Sequence, residues 1–220
     1  MALVDDLIKE GWLKTPEIIS AFRQIKRADF MPENMKDLAE VDEAMPIGQG
    51  QTISQPKVVA FMLELLEPKA GEKILDVGSG SGWTSALLSE IVGGKGRVVS
   101  LELIPELKEF GEKNAAKYGF LEKGTAQFVC CDGSKGYEEE SPFDKILASA
   151  ALAAARGGKE DLSSLSTARH LPQAWKKQLK VGGRIVAPIN SSIWLFVKKS
   201  ENEMEEKEYP GFIFVPLIEE

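Results

Sequence analysis

The residues with the clearest chemical potential are Ile74-Leu75-Asp76-Val77-Gly78-Ser79-Gly80-Ser81-Gly82-Trp83, an apolar run that ends in a carboxylate and opens into a Gly-x-Gly-x-Gly turn. A strand, a glycine turn and a following helix form a nucleotide cradle, because ligands of open α/β sheets bind at the carboxyl ends of the strands. A dinucleotide diphosphate wants a small residue where Trp83 stands, since the helix must pack close beneath it. Asp76 would also repel a diphosphate. A cationic adenosyl ligand such as S-adenosylmethionine fits these residue types better: Asp76 can meet its ammonium group, or position it through the backbone.

Two further strand ends carry acids. Lys95-Gly96-Arg97-Val98-Val99-Ser100-Leu101-Glu102 reads as the next strand and puts Glu102 about one βαβ spacing beyond the glycines, where a carboxylate accepts both ribose hydroxyls. Phe128-Val129-Cys130-Cys131-Asp132-Gly133 offers a third strand with Asp132 near the adenine. The ordered set Asp76, Gly78, Gly80, Gly82, Glu102 and Asp132 is the expected cofactor site. Three βα turns with polar ends and no ligand are the competing reading, because motif matches carry false positives. No metal is expected.

The elements that position these residues alternate. Strands are expected over 73–77, 97–101, 126–130 and 144–148, and helices over 85–91 and 105–118, which implies a parallel sheet covered on both faces. Before them, Leu3, Leu7 and Ile8 make a short apolar helix face that Gly11 ends. Thr15-Pro16-Glu17 then supplies an N-cap, a proline in the first turn and an acid at the positive end of the dipole, for a helix carrying Ile18, Ile19, Phe22 and Ile25. The polar stretch from Pro32 to Gln51 is too long for an ordinary connection without a task. Ser54 can cap the helix of Val58, Val59, Met62, Leu65 and Leu66. The segment 150–169, with Gly157-Gly158 and several serines, reads as an irregular, flap-like excursion. A helix over 172–179 leads through Gly182-Gly183 into a strand at 184–188. Strands over 193–199 and 212–217, flanking a charged hairpin at 200–208, leave an antiparallel edge.

The chain of 220 residues, 43% hydrophobic, can form one domain with a sizeable core: helices and a loop over 1–56, then an α/β core over 57–220. A net charge of −7 argues against a broad nucleic-acid surface, which would need clustered Lys and Arg. The two cysteines, Cys130 and Cys131, are adjacent in an expected buried strand and cannot staple distant segments, which suits a reducing cytosol. Acids follow Met1 where a secretory signal carries bases, and no apolar run is long enough to span a bilayer. A soluble, cytoplasmic monomer that avoids membranes is the expectation.

With these pieces placed, the sequence resembles the protein-L-isoaspartate O-methyltransferase family. The resemblance rests on Pro46-Ile47-Gly48-Gln49-Gly50-Gln51-Thr52-Ile53-Ser54-Gln55-Pro56 and extends through the glycine turn, Asp132-Gly133, Pro142-Phe143-Asp144, Gly182-Gly183-Arg184 and Phe214-Val215-Pro216-Leu217. It implies a Rossmann-like methyltransferase sheet and methyl transfer from S-adenosylmethionine to the α-carboxylate of L-isoaspartyl residues in damaged peptides and proteins. The ester collapses through a succinimide and partly returns to aspartate. By the same resemblance Ser54 is the active-site serine, Ser79 and Gly133 join the cofactor positions, and Gln49, Gly50, Thr52 and Val215 wall the acceptor pocket. The chain departs from the family pattern with Asp76 for the usual Glu, Trp83 for the usual tyrosine, Asp42-Glu43-Ala44 where an aromatic is usual, and a longer segment at 150–169.

An acceptor carboxylate with a pKa of about 4 is already a nucleophile at neutral pH, so no general base is needed and the lone His170 need not be catalytic. Ser54 and backbone N–H groups at the start of the helix beginning near Gln55 are expected to hold it. Two alternatives stay open: a same-fold methyltransferase for another small carboxylate or amine, and a silent cofactor-binding adaptor.

Overall fold

A computed structural model describes residues 2–152 and 171–217. Two amphipathic helices, α1 (Ala2–Lys9) and α2 (Pro16–Gln24), lead through 3₁₀ turns at Arg27–Phe30 and Glu33–Leu38 to a small hairpin, β1 (Met45–Gly48) and β2 (Gln51–Ile53). Helix α3 (Pro56–Leu66) follows. The alternating part comprises β3 (Lys73–Val77), α4 (Trp83–Val92), β4 (Arg97–Glu102), α5 (Pro105–Ala116), β5 (Ala126–Cys130) and β6 (Phe143–Ala148). Then come α6 (Gln173–Gln178), β7 (Leu179–Ile189), β8 (Ser192–Ser200) and β9 (Glu203–Pro210).

The large sheet has the order β5-β4-β3-β6-β7-β8-β9, parallel from β5 to β7 and antiparallel across β8 and β9. From β3 the chain first builds outward through β4 and β5, then crosses back to lay β6 on the other side. The strand order therefore reverses between β3 and β6, where a crevice forms at the carboxyl ends. The period-two alternation of the strands separates two cores. Ile74, Val98, Phe128 and Leu147 face the side covered by α1 to α5, while Leu75, Val77, Val99, Leu101 and Ile146 face α6 and its Trp175.

Several local expectations need correction. Thr15 stands at the N-cap of α2, but its hydroxyl donates to Glu64 Oε2 at 2.7 Å and ties α2 to α3 instead of capping its own helix. Ser54 does not cap α3. That helix starts one residue later, at the N-cap Gln55, and Asp42 Oδ1 accepts the Lys57 N–H at 2.8 Å, so a carboxylate from a distant loop takes the capping place.

The charged stretch expected as a hairpin is strand β9, paired along β8. Its partner strand satisfies the backbone, and cross-strand pairs such as Ser192 with Glu208 and Lys199 with Glu205 make a charged edge that resists further pairing. Segment 212–217 is not a ladder strand: it makes one isolated bridge, Pro216 with Ala151, and crosses the carboxyl ends of the sheet. Cys130 is exposed and Cys131 half-buried, because both lie where β5 leaves the sheet. Of 150–169, the described residues Ala150 to Leu152 are buried and bonded to Val215, Leu217 and Pro188; the rest of that segment, with His170, lies outside the described residues.

Candidate active site

The turn after β3 is shaped by glycines for two different reasons. Gly78 has φ 77° and Gly80 φ 51°, left-handed conformations that a side chain disfavours. Gly82, at φ 83°, is also a crossing point: a Cβ there would sit 2.7 Å from the carbonyl oxygen of Gly111, so α4 and α5 touch backbone to backbone. Four of the turn's amides are committed inward. Gly78 and Ser79 donate to Leu101 O at 2.8 and 3.0 Å, Gly82 donates to Ser79 O at 2.8 Å, and Gly80 donates to Glu102 Oε2 at 2.8 Å. A phosphate cradle needs such N–H groups aimed outward, so this turn is unsuited to a diphosphate.

Above it opens a cleft at the carboxyl ends of the strands, the usual place for a small-molecule site in a sheet of this kind. Gly78, Ser79, Gly80, Trp83, Glu102 and Gly133 line it, with Leu103 and Ile104 on an apolar side and Ser149 and Val215 opposite. Among the described residues that line the cleft, Glu102 is the one carboxylate and there is no lysine or arginine. Glu102 is 8% exposed, and its Oε1 accepts the Ile104 N–H at 3.1 Å. Ser79 Oγ and Trp83 Nε1 are buried without a hydrogen-bond partner among the described residues. An acid, two unsatisfied donors and no cation fit a ligand that carries positive charge and polar groups, as S-adenosylmethionine does.

Two expected cofactor residues stand behind the wall. Asp76 is fully buried; Ser85 Oγ donates to its Oδ2 at 2.6 Å and Oδ1 has no partner among the described residues. Burial pushes its carboxyl up to about 7, against the opposing Ser85 hydrogen bond and with a further push from Glu102. Asp132 turns into its own loop, accepting from Ser134 N at 2.9 Å and pairing with Lys135 at 3.2 Å. Neither side chain lines the cleft. Gly133 does, and a Cβ there would lie 2.4 Å from Val77 Cγ1, so only glycine lets this turn lie against β3.

A second cleft lies alongside, lined by Ala44, Gln55, Val58, Ile213 and Phe214. Thr52, Ser54, Ser149 and Val215 line both clefts. The amides at the start of α3 do not serve this cleft, since Lys57 N is taken by Asp42 and Val58 N by Gln55 O at 3.0 Å. The Ser54 hydroxyl, relieved of capping, is left for the shared wall. Gln49 and Gly50 are exposed at the tip of the β1–β2 hairpin and line neither cleft.

Sequence reasoning missed the supports of this wall. Ser149 follows the end of β6 and lacks a motif of its own. Asp42 holds Gln55 as well as Lys57, accepting Gln55 Nε2 on its carbonyl at 2.9 Å and on Oδ2 at 3.1 Å. The departure Asp42-Glu43-Ala44 was the available signal, but its role is visible only once the loop is folded back onto α3.

A family model described as Protein-L-isoaspartate(D-aspartate) O-methyltransferase matches residues 1–156 and 161–220, which takes in most of the 150–169 segment. A protein-L-isoaspartate O-methyltransferase of Methanopyrus kandleri is 38% identical over 222 residues, covering 99% of this chain and 90% of that protein. Protein-L-isoaspartate O-methyltransferase 2 of Archaeoglobus fulgidus is 39% identical over 204 residues, covering 91% and 84%. A solved structure named protein-L-isoaspartate O-methyltransferase superimposes with a TM-score of 0.82 at 28% identity, covering 98% of this chain and 64% of that one. A Plasmodium falciparum structure with S-adenosyl-L-homocysteine bound gives 0.81 at 21% identity over 99% and 97%, a likeness of fold.

Proposed function

This chain belongs to the protein-L-isoaspartate O-methyltransferase family, and from that premise we propose that it methylates the α-carboxylate of L-isoaspartyl residues in aged proteins, using S-adenosylmethionine. The backbone amide nitrogen that follows then attacks the ester carbonyl and expels methanol, and water reopens the resulting succinimide partly to aspartate. The observation that carries this reading is the wall common to the two clefts, Thr52, Ser54, Ser149 and Val215, which sets an acid-lined cofactor site directly beside an apolar groove.

In this reading the cofactor supplies an electrophilic methyl group, and the protein supplies position. Glu102 takes the ribose hydroxyls, and Ser79 Oγ and Trp83 Nε1 meet polar atoms that complete their hydrogen bonding. Asp76 and Asp132 act from behind, by fixing the α4 start and the turn at Gly133. The Thr52 and Ser54 hydroxyls hold the acceptor carboxylate, which is already ionised at neutral pH and needs no general base. Holding two reactants in a productive arrangement can lower a barrier by about 7 to 11 kcal/mol, enough for a reaction that moves no proton. Val215, Ile213 and Phe214 keep the groove apolar, and a net charge of −7 favours protein over nucleic-acid acceptors.

Incubation with methyl-labelled cofactor and a peptide pair differing only in isoaspartate or aspartate tests the reading. The expected result is a base-labile methyl ester on the isoaspartyl peptide alone. Equal labelling of the pair, or labelling of neither, overturns it.

A further inference from the structure

Arg27 lies outside both clefts but touches the frame of each. It is 6% exposed, in the 3₁₀ turn that follows α2. Its Nη1 donates to the carbonyls of Ala39 at 3.3 Å and Val41 at 3.1 Å; its Nη2 donates to Glu43 O at 2.7 Å and Ser54 O at 3.2 Å. The guanidinium carbon stands 5.5 Å from the centroid of the Trp83 ring. One planar group thus bonds the backbone of the acceptor serine and lies over an indole that lines the cofactor cleft.

Burial lowers the Arg27 pKa to about 10, with Asp42 opposing the shift, so the group stays charged at neutral pH. A buried charge is tolerated when it is hydrogen-bonded, and here four carbonyl contacts satisfy Nη1 and Nη2, while the buried Nε has no partner among the described residues. Those contacts also gather the irregular stretch 39–43 around a single point, which explains how a long loop without regular structure holds its shape. Lysine cannot reproduce this: it offers a point charge and no planar fork, and it stacks less well on an aromatic ring.

We propose that Arg27 is a positioning residue for methyl transfer, clamping the Ser54 backbone against the Trp83 wall and so setting the acceptor serine relative to the cofactor cleft. The inference rests on the function proposed above and assigns to that site a part that the sequence motifs do not contain.

The test compares Arg27→Lys and Arg27→Met with Tyr118→Phe. The control loosens the same turn, because the Tyr118 hydroxyl donates to Asp29 Oδ2 at 2.7 Å and accepts the Lys26 N–H at 2.9 Å, yet it touches neither Ser54 nor Trp83 among the bonds described. Each variant is assayed at a temperature where circular dichroism shows it folded, for kcat and KM on an isoaspartyl peptide and for S-adenosylhomocysteine affinity. Both Arg27 variants should lose about 10- to 100-fold in kcat, as small misplacements in a positioned site do, with cofactor affinity within about threefold of wild type. Tyr118→Phe should keep its kcat.

Wild-type kcat in Arg27→Lys overturns the proposal, as does a loss in the control matching that of the Arg27 variants. Failure of both Arg27 variants to fold at any temperature also overturns it, in favour of a purely structural role. A wild-type protein that does not distinguish isoaspartyl from aspartyl peptide overturns the underlying function instead.

Discussion

Replacing Glu102 by glutamine changes one atom and removes one charge, and its consequence can be worked from the bonds the carboxylate makes. Oε2 accepts the Gly80 N–H at 2.8 Å and Oε1 the Ile104 N–H at 3.1 Å. A carboxylate has about four acceptor sites, so about two remain to face the cleft. Glutamine keeps one oxygen. Its NH2 group must then confront either Gly80 N or Ile104 N, and the acceptors left for two ribose hydroxyls are halved. Losing one hydrogen bond to a charged group costs about 1.5 to 3 kcal/mol, which corresponds to a drop in affinity of about 13- to 160-fold. Isothermal titration with S-adenosylhomocysteine measures this, with urea unfolding to correct for any loss of folded protein. An affinity changed by less than about threefold would refute the reasoning and leave Glu102 as a brace for the glycine turn alone.

Three further outcomes follow from the same geometry. Ser54→Ala should hold stability to within about 0.5 kcal/mol in urea unfolding, because the Asp42 cap on Lys57 survives, while turnover of an isoaspartyl peptide falls about 10- to 100-fold; a fully active variant removes Ser54 from the site. Asp76, raised by burial from 3.8 to about 7, binds its proton in the folded protein over a range where the unfolded chain has lost it. Stability should therefore be highest below about pH 4 for this group and fall as pH rises to about 7, by up to roughly 4 kcal/mol, and Asp76→Asn should flatten that slope in urea melts; parallel pH profiles would contradict it. Gly82→Ala should destabilise by roughly 2 to 5 kcal/mol in thermal unfolding, from a left-handed φ of 83° and a Cβ 2.7 Å from Gly111 O; an unchanged melting temperature would mean that α5 can move away freely.

The cofactor side of this protein is written locally, and that is why it can be read from the chain. Strands β3, β4 and β6 are short apolar runs, the glycines fall where φ is positive, and Glu102 sits at a strand end. Each of these depends on neighbours in sequence. What escaped depends on neighbours in space. Ser54 has the right type and place for an N-cap, yet Asp42 reaches from another loop to do that work. Asp132 has a motif position, but its carboxylate accepts from Ser134 N and pairs with Lys135, and it is not among the residues that line the cleft. The last strand was hidden because β9 is rich in glutamate, and its pairing with β8 outweighs its composition. Arg27 had no signal at all, since arginine is rarely buried and the carbonyls that hold it come from four separate positions.

Two clefts meet at one wall, and a crystal structure with S-adenosylhomocysteine and an isoaspartyl peptide tests that arrangement most directly. The prediction is that the homocysteine compound fills the cleft over Gly78 to Gly82 with its ribose on Glu102, while the free α-carboxylate of the peptide lies within hydrogen-bonding reach of Ser54 or Thr52 in the second cleft. A peptide seated away from Thr52, Ser54, Ser149 and Val215, or a cofactor product bound elsewhere, contradicts it.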